Sequence, residues 1–356
     1  CGALLLTMTS FHVGRYFWRN VADINDYRIF PADTIAAAAS ARHFAQSASP
    51  ADDPPKAGLN TSLDLIRLLE LTRSTAFLVL ENDTLRMQWY GEGFDSTSIL
   101  PSFSIAKSVL SVSVAMAVAE GSLPSIETRV QRYLPEGMDT SLGKLSFSHL
   151  LDMRAGLDFK ERYHTPFSPM AKFYYGRRLD RYIRKIRVIR EPGHEYEYQS
   201  AANQIAGIAL EQAIGRSYCE FLSERLIEPA GMSDMASWSQ DRPGGDLKYF
   251  CCLNTTAMNY LRFGAFLLDS ANHDGFVPLK YTHSICRTNS EAVDSQGYPY
   301  VLGWRVTPGG GIFAKGILGQ YVYIHPEKEM VIVRLGKSSK QKDWGRLFDS
   351  LAAEKL

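Results

Sequence analysis

The spacing of apolar and polar positions changes along the chain, and the changes divide it into stretches. Leu63–Leu71 reads as a short amphipathic helix. Thr75–Leu80 reads as a strand, Glu81-Asn82-Asp83 as a turn and Thr84–Tyr90 as the returning strand of a hairpin. A Gly, Asp and Ser-rich loop then leads through Pro101 into residues 103–120, where Ile, Ala, Val, Leu and Met alternate with small Ser residues up to Gly121. That composition predicts a helix buried on most sides. The middle of the chain is mostly helical in pattern. Helices are predicted from Ser146, over Tyr174–Arg190 before Pro192-Gly193, over Ala201–Ile214 before Gly215, over Tyr218–Ile227, and over Thr255–Leu268. From Tyr298 the strand-like spacing returns, in Tyr300–Val306, Ile317–Ile324 and Met330–Leu335, and Asp343–Leu351 closes the chain as an amphipathic helix.

Strands at both ends with helices between them predict one sheet built from both ends of the chain, an α+β arrangement with a mainly helical part set beside it. The expected division is a lead-in over residues 1–60, an α/β lobe made of 61–120 and 291–356, and a mainly helical lobe over 121–290. Within the lead-in, Ala36–Ala41 offers at most a short helix.

Composition narrows the class. The chain has 356 residues, 45% of them hydrophobic, which is enough for a sizeable core. Charged residues make up 22% and the formal net charge is +1, without the long basic stripe of a nucleic-acid binder. The densest basic run, Arg177 to Arg190, reads as the solvated face of a helix. Five cysteines show no metal-ligand spacing, and neither a metal nor a cofactor is expected. Cys251 and Cys252 are adjacent and are not expected to bridge each other. The apolar run from Leu4 to Trp18 is too short and interrupted for a spanning helix. Cys1 fits a lipidated cysteine exposed by signal processing, or simply the point where the given sequence begins. The expectation is an exported protein, periplasmic or extracellular, with N-terminal membrane attachment.

The chemistry starts at Ser104-Ile105-Ala106-Lys107. Three residues apart at the start of a helix, Ser104 and Lys107 share a face. An amine beside a hydroxyl can take the hydroxyl proton, and the helix N-terminus favours negative charge nearby. The plain alternative is a capping serine beside a surface lysine.

Three further segments, in order, complete a pattern: Leu145 to Leu157 (LSFSHLLDMRAGL), Pro192 to Ser200 (PGHEYEYQS) and Gly316 to Gln320 (GILGQ). Together with Ser104–Lys107 they resemble the serine beta-lactamases and penicillin-binding proteins, on the class C-like and esterase-like branch. The resemblance spans roughly residues 60–340. It implies a beta-lactamase/transpeptidase-like fold: a central antiparallel sheet flanked by helices, a mostly helical second lobe, and the active site between them. It also implies acyl-serine chemistry. Ser104 would attack a carbonyl, Lys107 and Tyr198 would move the proton, and the backbone N–H groups of Ser104 and Ile317 would hold the oxyanion.

Two positions depart from the family pattern. Ser200 stands where an Asn is usual, and Ala314-Lys315-Gly316 stands where a Lys or His opens the third motif. Lys315, one place later on a strand, is expected to point away from the site. These departures shift weight from beta-lactams toward an ester or small linear amide, and the Tyr-x-Ser and Gly-Ile-x-Gly-Gln segments are most similar to the 6-aminohexanoate-dimer hydrolases. Substrate contacts are expected from Ser200 and Gly316. Tyr174 or Tyr175 matches a family tyrosine that binds the amide, with ordinary packing as the alternative, and Trp304 either lines the cleft or packs under the sheet. His149 reads as a capping or core histidine. Two other functions stay open on these residues: a D-alanyl-D-alanine carboxypeptidase or weak class C-type beta-lactamase, and a surface or binding protein that keeps the fold without turnover.

Overall fold

A computed structural model describes residues 22–46, 62–163, 165–338 and 343–354. Its strands are β1 (Ala32–Ile35), β2 (Ala45–Gln46), β3 (Ser74–Glu81), β4 (Thr84–Tyr90), β5 (Leu100–Pro101) and β6 (Ala236–Ser239). They continue with β7 (Leu253–Thr255), β8 (Tyr300–Val301), β9 (Trp304–Val306), β10 (Ile312–Gly316), β11 (Gln320–His325) and β12 (Met330–Gly336). The helices that matter for the site are α1 (Ser62–Leu71), α2 (Ile105–Ala119), α3 (Pro169–Tyr175), α4 (Ser200–Ile214), α5 (Ala257–Leu268) and α6 (Trp344–Ala353).

The main sheet has eight strands in the order β2-β4-β3-β12-β11-β10-β9-β8. Every pairing in it is antiparallel except the short edge pair β2–β4. Strand β3, from the first part of the chain, pairs with β12 from the last part, with Val79 opposite Ile332. The sheet is therefore built from both ends, as the pattern predicts.

All eight positions of β3 are buried, which explains why it reads as a continuous apolar run instead of an alternating one. Phe77 and Val79 pack with Leu65 and Leu69 of α1 and with Trp344 and Phe348 of α6. Ala76, Leu78 and Leu80 face the other way, into the large core that includes α2 and α5. Helix α2 is buried along most of its length, as its composition requires.

Three sequence expectations change. The helix expected over 174–190 is instead α3, ended at Gly176, and a separate short turn of helix over Leu179–Ile183. Ser168 caps α3 by accepting from the Ala171 N–H, and Pro169 opens it. The strand expected over Tyr300–Val306 is a tight hairpin, β8 and β9, turned at Leu302 and Gly303 with positive φ. The strand expected from Ile317 begins only at Gln320, because Leu318 (φ 62°) makes a turn first.

A second sheet, β1-β6-β7-β5, was not legible in the sequence. It draws β1 of the lead-in onto β6, some two hundred residues away, with Ala32 opposite Ser239. Ala36–Ala41 is not helical. Cys1 and the Leu4–Trp18 run lie outside the described residues. Among the described residues no helix is long and apolar enough to cross a membrane.

Candidate active site

Ser104 is the residue from which α2 starts. The turn before it is held to the second sheet: the Ser102 N–H donates to the Leu253 carbonyl (2.7 Å), and the Leu253 N–H donates to Ser102 Oγ (3.0 Å). One turn into the helix, Lys107 is 1% exposed. A buried amine requires partners. Lys107 Nζ donates to Ser104 Oγ at 3.0 Å and to the Phe250 carbonyl at 2.7 Å.

The end of β10 closes against this turn. A Cβ on Gly316 would lie 2.4 Å from the Ser102 carbonyl oxygen and 3.1 Å from Phe103 Cβ, so only glycine lets the strand approach this far. That approach brings Ile317 to the same cleft as Ser104. The Ser104 N–H, at a helix start, is among the amides without an intrahelical acceptor.

Tyr198 arrives from the segment before α4. Its ring centroid is 5.0 Å from Lys107 Nζ. The ring is braced edge-to-face by Tyr300 (6.2 Å, 88°) and lies 6.0 Å from the Arg305 guanidinium. Arg305 is itself held by Asp294 at 2.6 Å, both buried. The fold thus brings Ser104, Lys107, Tyr198, Gly316 and Ile317 into one place.

Ser200, at the usual Asn position, is turned to a partner that the sequence did not reveal. Its N–H and hydroxyl both donate to the Glu161 carboxylate, at 2.8 and 2.6 Å. The Tyr163 hydroxyl donates to the same carboxylate. Burial, and then the charge of Glu161, push the Tyr163 phenol well above its usual range, which keeps it a neutral hydrogen-bond donor. Tyr163 lines the cleft on both sides of Ser104. It sits in an irregular loop, where no periodicity marks a residue for the site.

On one side of Ser104 the cleft is a cavity of about 250 Å³ whose walls include Phe103, Met170, Ala171, Tyr175, Phe250 and Leu318. Tyr174 and Ser200 also reach it. The Tyr174 hydroxyl, however, is spent on buried Asp26 at 2.9 Å. Burial and Asp26 raise its pKa well above the usual value.

On the other side is a polar cavity of about 510 Å³, lined by Tyr198, Tyr196, Arg305, Asp294, Gln296 and Lys315. The expectation that Lys315 points away is therefore overturned. Near the end of β10 its side chain lies at the cleft and donates to Gln296. Burial, and then Arg305, bring its pKa down to about 8.

Trp304 lines neither cavity. It is fully buried, its Nε1–H donates to the Tyr281 hydroxyl at 3.0 Å, and it stacks on Phe263. Its strand position faces the core between sheet and helices, so a substrate-contact role is corrected to packing. Cys251 and Cys252, not expected to pair, are joined to each other. Cys252 takes a positive φ of 78°, and Cys251 reaches the apolar cavity. His149 completes a capping box with Ser146, as its segment implied. Asp152 accepts the Leu302 N–H at 2.6 Å and so pins the β8–β9 turn. Elsewhere Asp180, Asp241 and Asp246 come together, a grouping that sequence spacing did not show. Arg178 pairs with Asp180, and Arg242 with Asp241.

A sheet flanked by helices, with a Ser–Lys pair at the start of a buried helix, a tyrosine across from it and a strand edge closing against the turn, defines the beta-lactamase/transpeptidase class of hydrolases. The beta-lactamase family model matches residues 70–353, and the chain belongs to that family. A 6-aminohexanoate-dimer hydrolase of Paenarthrobacter ureafaciens is 27% identical over 297 residues, covering 76% of this chain and 74% of the relative. A Bacillus anthracis structure, provisionally named as a 6-aminohexanoate-dimer hydrolase, superposes with a TM-score of 0.74 at 18% identity, over 91% of this chain and 90% of its own. EstCE1, a hydrolase with promiscuous acyltransferase activity, superposes with a TM-score of 0.63 at 15% identity, over 82% of this chain and 95% of its own.

Proposed function

We propose that this hydrolase cleaves an ester or small linear amide through an acyl-serine intermediate on Ser104. The observation that carries the reading is the Lys107 Nζ–Ser104 Oγ contact of 3.0 Å inside a buried helix turn. Ser104 Oγ attacks the substrate carbonyl carbon and its proton passes to the Lys107–Tyr198 pair. The carbonyl oxygen becomes an oxyanion, received by the N–H groups of Ser104 and Ile317. Collapse of this intermediate breaks the bond to the alcohol or amine, which leaves with a proton from Tyr198. Water then attacks the acyl-serine, gives its proton to the same pair, and releases the acid and free Ser104.

The names of the similar hydrolases support the amide and ester class. The engagement of Ser200 by Glu161 supports it further, because the amide fork of the usual Asn is missing from the cleft. The presence of Lys315 at the polar side favours a second reading, a peptidase or weak beta-lactamase, since a cation there suits a carboxylate. We also propose that the protein is exported, a reading supported by the Cys251–Cys252 bridge, because disulfides persist in oxidising compartments.

Intact-protein mass after incubation with an activated ester and, separately, a penicillin tests both enzyme readings. An ester-derived adduct or turnover that is lost in Ser104→Ala is the expected result. A stable penicilloyl adduct would favour the second reading. A folded protein that forms no adduct with either would sink both.

A further inference from the structure

The two sides of Ser104 differ in chemistry, and the position of Tyr198 says which side takes which half of the substrate. A group that protonates the leaving atom must stand on the leaving-group side. Tyr198 lines only the polar cavity, beside Lys315, Arg305 and Gln296. The acyl chain therefore lies on the other side, in the cavity of about 250 Å³.

None of the described residues lining that cavity carries a charge: Phe103, Met170, Ala171, Phe250 and Leu318 supply its apolar walls, and its polar atoms come from hydroxyl groups such as those of Tyr163, Tyr174, Tyr175 and Ser200. The carboxylates behind it are already engaged, Glu161 by Ser200 and Tyr163 and Asp26 by Tyr174. The wall formed by α3 is also fixed in place. Tyr174 is tied to Asp26, and buried Lys248 donates to the Tyr174 carbonyl at 2.5 Å while lying 3.2 Å from the Phe30 ring centroid.

We propose that this cavity is an acyl pocket selective for an uncharged, apolar chain, and that it rejects an acyl group ending in an ammonium. The proposal rests on the acyl-serine reading above. The cavity, of about 250 Å³, has room for a chain of several carbons, since one water's share of liquid volume is only about 30 Å³. This chain then differs in acyl preference from what the name 6-aminohexanoate-dimer hydrolase implies for its relative, whose acyl half carries an amine. An ammonium brought into this pocket loses its water and finds no unengaged carboxylate among the described lining residues.

The test is a set of activated esters sharing one leaving group: acetyl, butanoyl, hexanoyl, octanoyl and 6-aminohexanoyl. The wild-type kcat/KM is expected to rise about fourfold per added methylene, the equivalent of about 0.8 kcal/mol each, up to the filling length. Hexanoyl is expected to exceed 6-aminohexanoyl by about a hundredfold or more. Ala171→Leu, which intrudes into the pocket, lowers the hexanoyl-to-acetyl ratio, and Met170→Ala shifts the optimum to longer chains. These ratios do not depend on how much protein is folded. Lengthening the alcohol instead of the acyl chain gives no such gain.

A flat acyl series, a 6-aminohexanoyl rate equal to the hexanoyl rate, or ratios unmoved by both variants overturns the acyl-pocket proposal while leaving the hydrolase standing. Failure of every ester to form an adduct on Ser104 overturns the acyl-serine reading and the pocket with it.

Discussion

Lys107 Nζ lies 3.0 Å from Ser104 Oγ and 2.7 Å from the Phe250 carbonyl, with its side chain sealed inside the protein. The contact to Phe250 is the less obvious half. It orients the amine from behind, from the segment that also carries the Cys251–Cys252 bridge, so that the nitrogen is held toward the serine. Lys107→Met is expected to lower the acylation rate by about 10²–10⁴-fold. It also leaves the Phe250 carbonyl buried without its donor, at about 1–3 kcal/mol of stability. Rapid-mixing mass spectrometry measures the first and denaturant midpoints the second. An acylation rate within a fewfold of wild type would remove Lys107 from the proton path.

Tyr198→Phe keeps the ring contacts with Tyr300 and Arg305 and removes only the hydroxyl. A drop in kcat of about 10²–10⁴-fold with an unchanged melting temperature is expected. The loss should be larger for amides, whose amine must be protonated to leave, than for esters of acidic phenols. An equal loss for both would mean that Tyr198 does not protonate the leaving group.

Gly316→Ala places a methyl group 2.4 Å from the Ser102 carbonyl. The strand must retreat from the turn, which is expected to cost about 1–3 kcal/mol and to separate the Ile317 N–H from Ser104. Turnover should fall more than stability accounts for. Wild-type turnover in this variant would show that the approach is looser than the geometry implies.

Arg334 is fully buried and binds backbone: its guanidinium donates to the carbonyls of Gly319 (2.5 Å) and Thr72 (2.9 Å), and to Ser74 Oγ (3.0 Å). It thereby fixes the turn that follows Ile317. Arg334→Met strands these acceptors and is expected to destabilise the fold by about 2–4 kcal/mol, with thermal unfolding as the measurement. A melting temperature equal to wild type would count against the clamp.

Lys315 gives a pH signature. Burial, and then Arg305, lower its pKa to about 8, so it is cationic below that pH and neutral above it. For an ester whose leaving group carries a carboxylate, KM is expected to rise between about pH 7 and pH 9, and Lys315→Gln should abolish the step. An uncharged leaving group should show no step. The folded state holds this proton more weakly than the unfolded chain, so the contribution of Lys315 to stability increases with pH from about 8 to 10.5. Identical pH profiles for charged and uncharged leaving groups would remove Lys315 from substrate binding.

Much of the site was legible because its parts are local. Ser104 and Lys107 share a helix face by spacing alone, and the run from Phe103 to Glu120 announces a buried helix by composition, which the structure bounds at Ile105–Ala119. The β3–β4 hairpin and β12 were equally plain, since strand spacing and turn residues are short-range signals. Tyr163 and Glu161 were not legible, because they lie in a loop that the fold, and no periodic pattern, lays across the cleft. Lys315 was misread for a related reason. Alternation along an ideal strand points it away, but it sits one residue before the end of β10, at the cleft, where Gly316 turns the chain toward Ile317. Trp304 was ambiguous because a tryptophan on a short strand next to a cleft has two faces to choose from, and only the packing of Tyr281 and Phe263 selects one.

The sequence by itself determined the class of fold, the nucleophile candidate with its amine, and the tyrosine of the second motif, because each depends on spacing within a few residues or on the order of short motifs. Tertiary structure alone decided what surrounds them: the Phe250 carbonyl behind Lys107, Glu161 on Ser200, Lys315 at the polar side, and an uncharged cavity on the other. Those relationships join residues tens to hundreds of positions apart, and nothing in a local pattern encodes which distant groups a sheet and its helices will bring together.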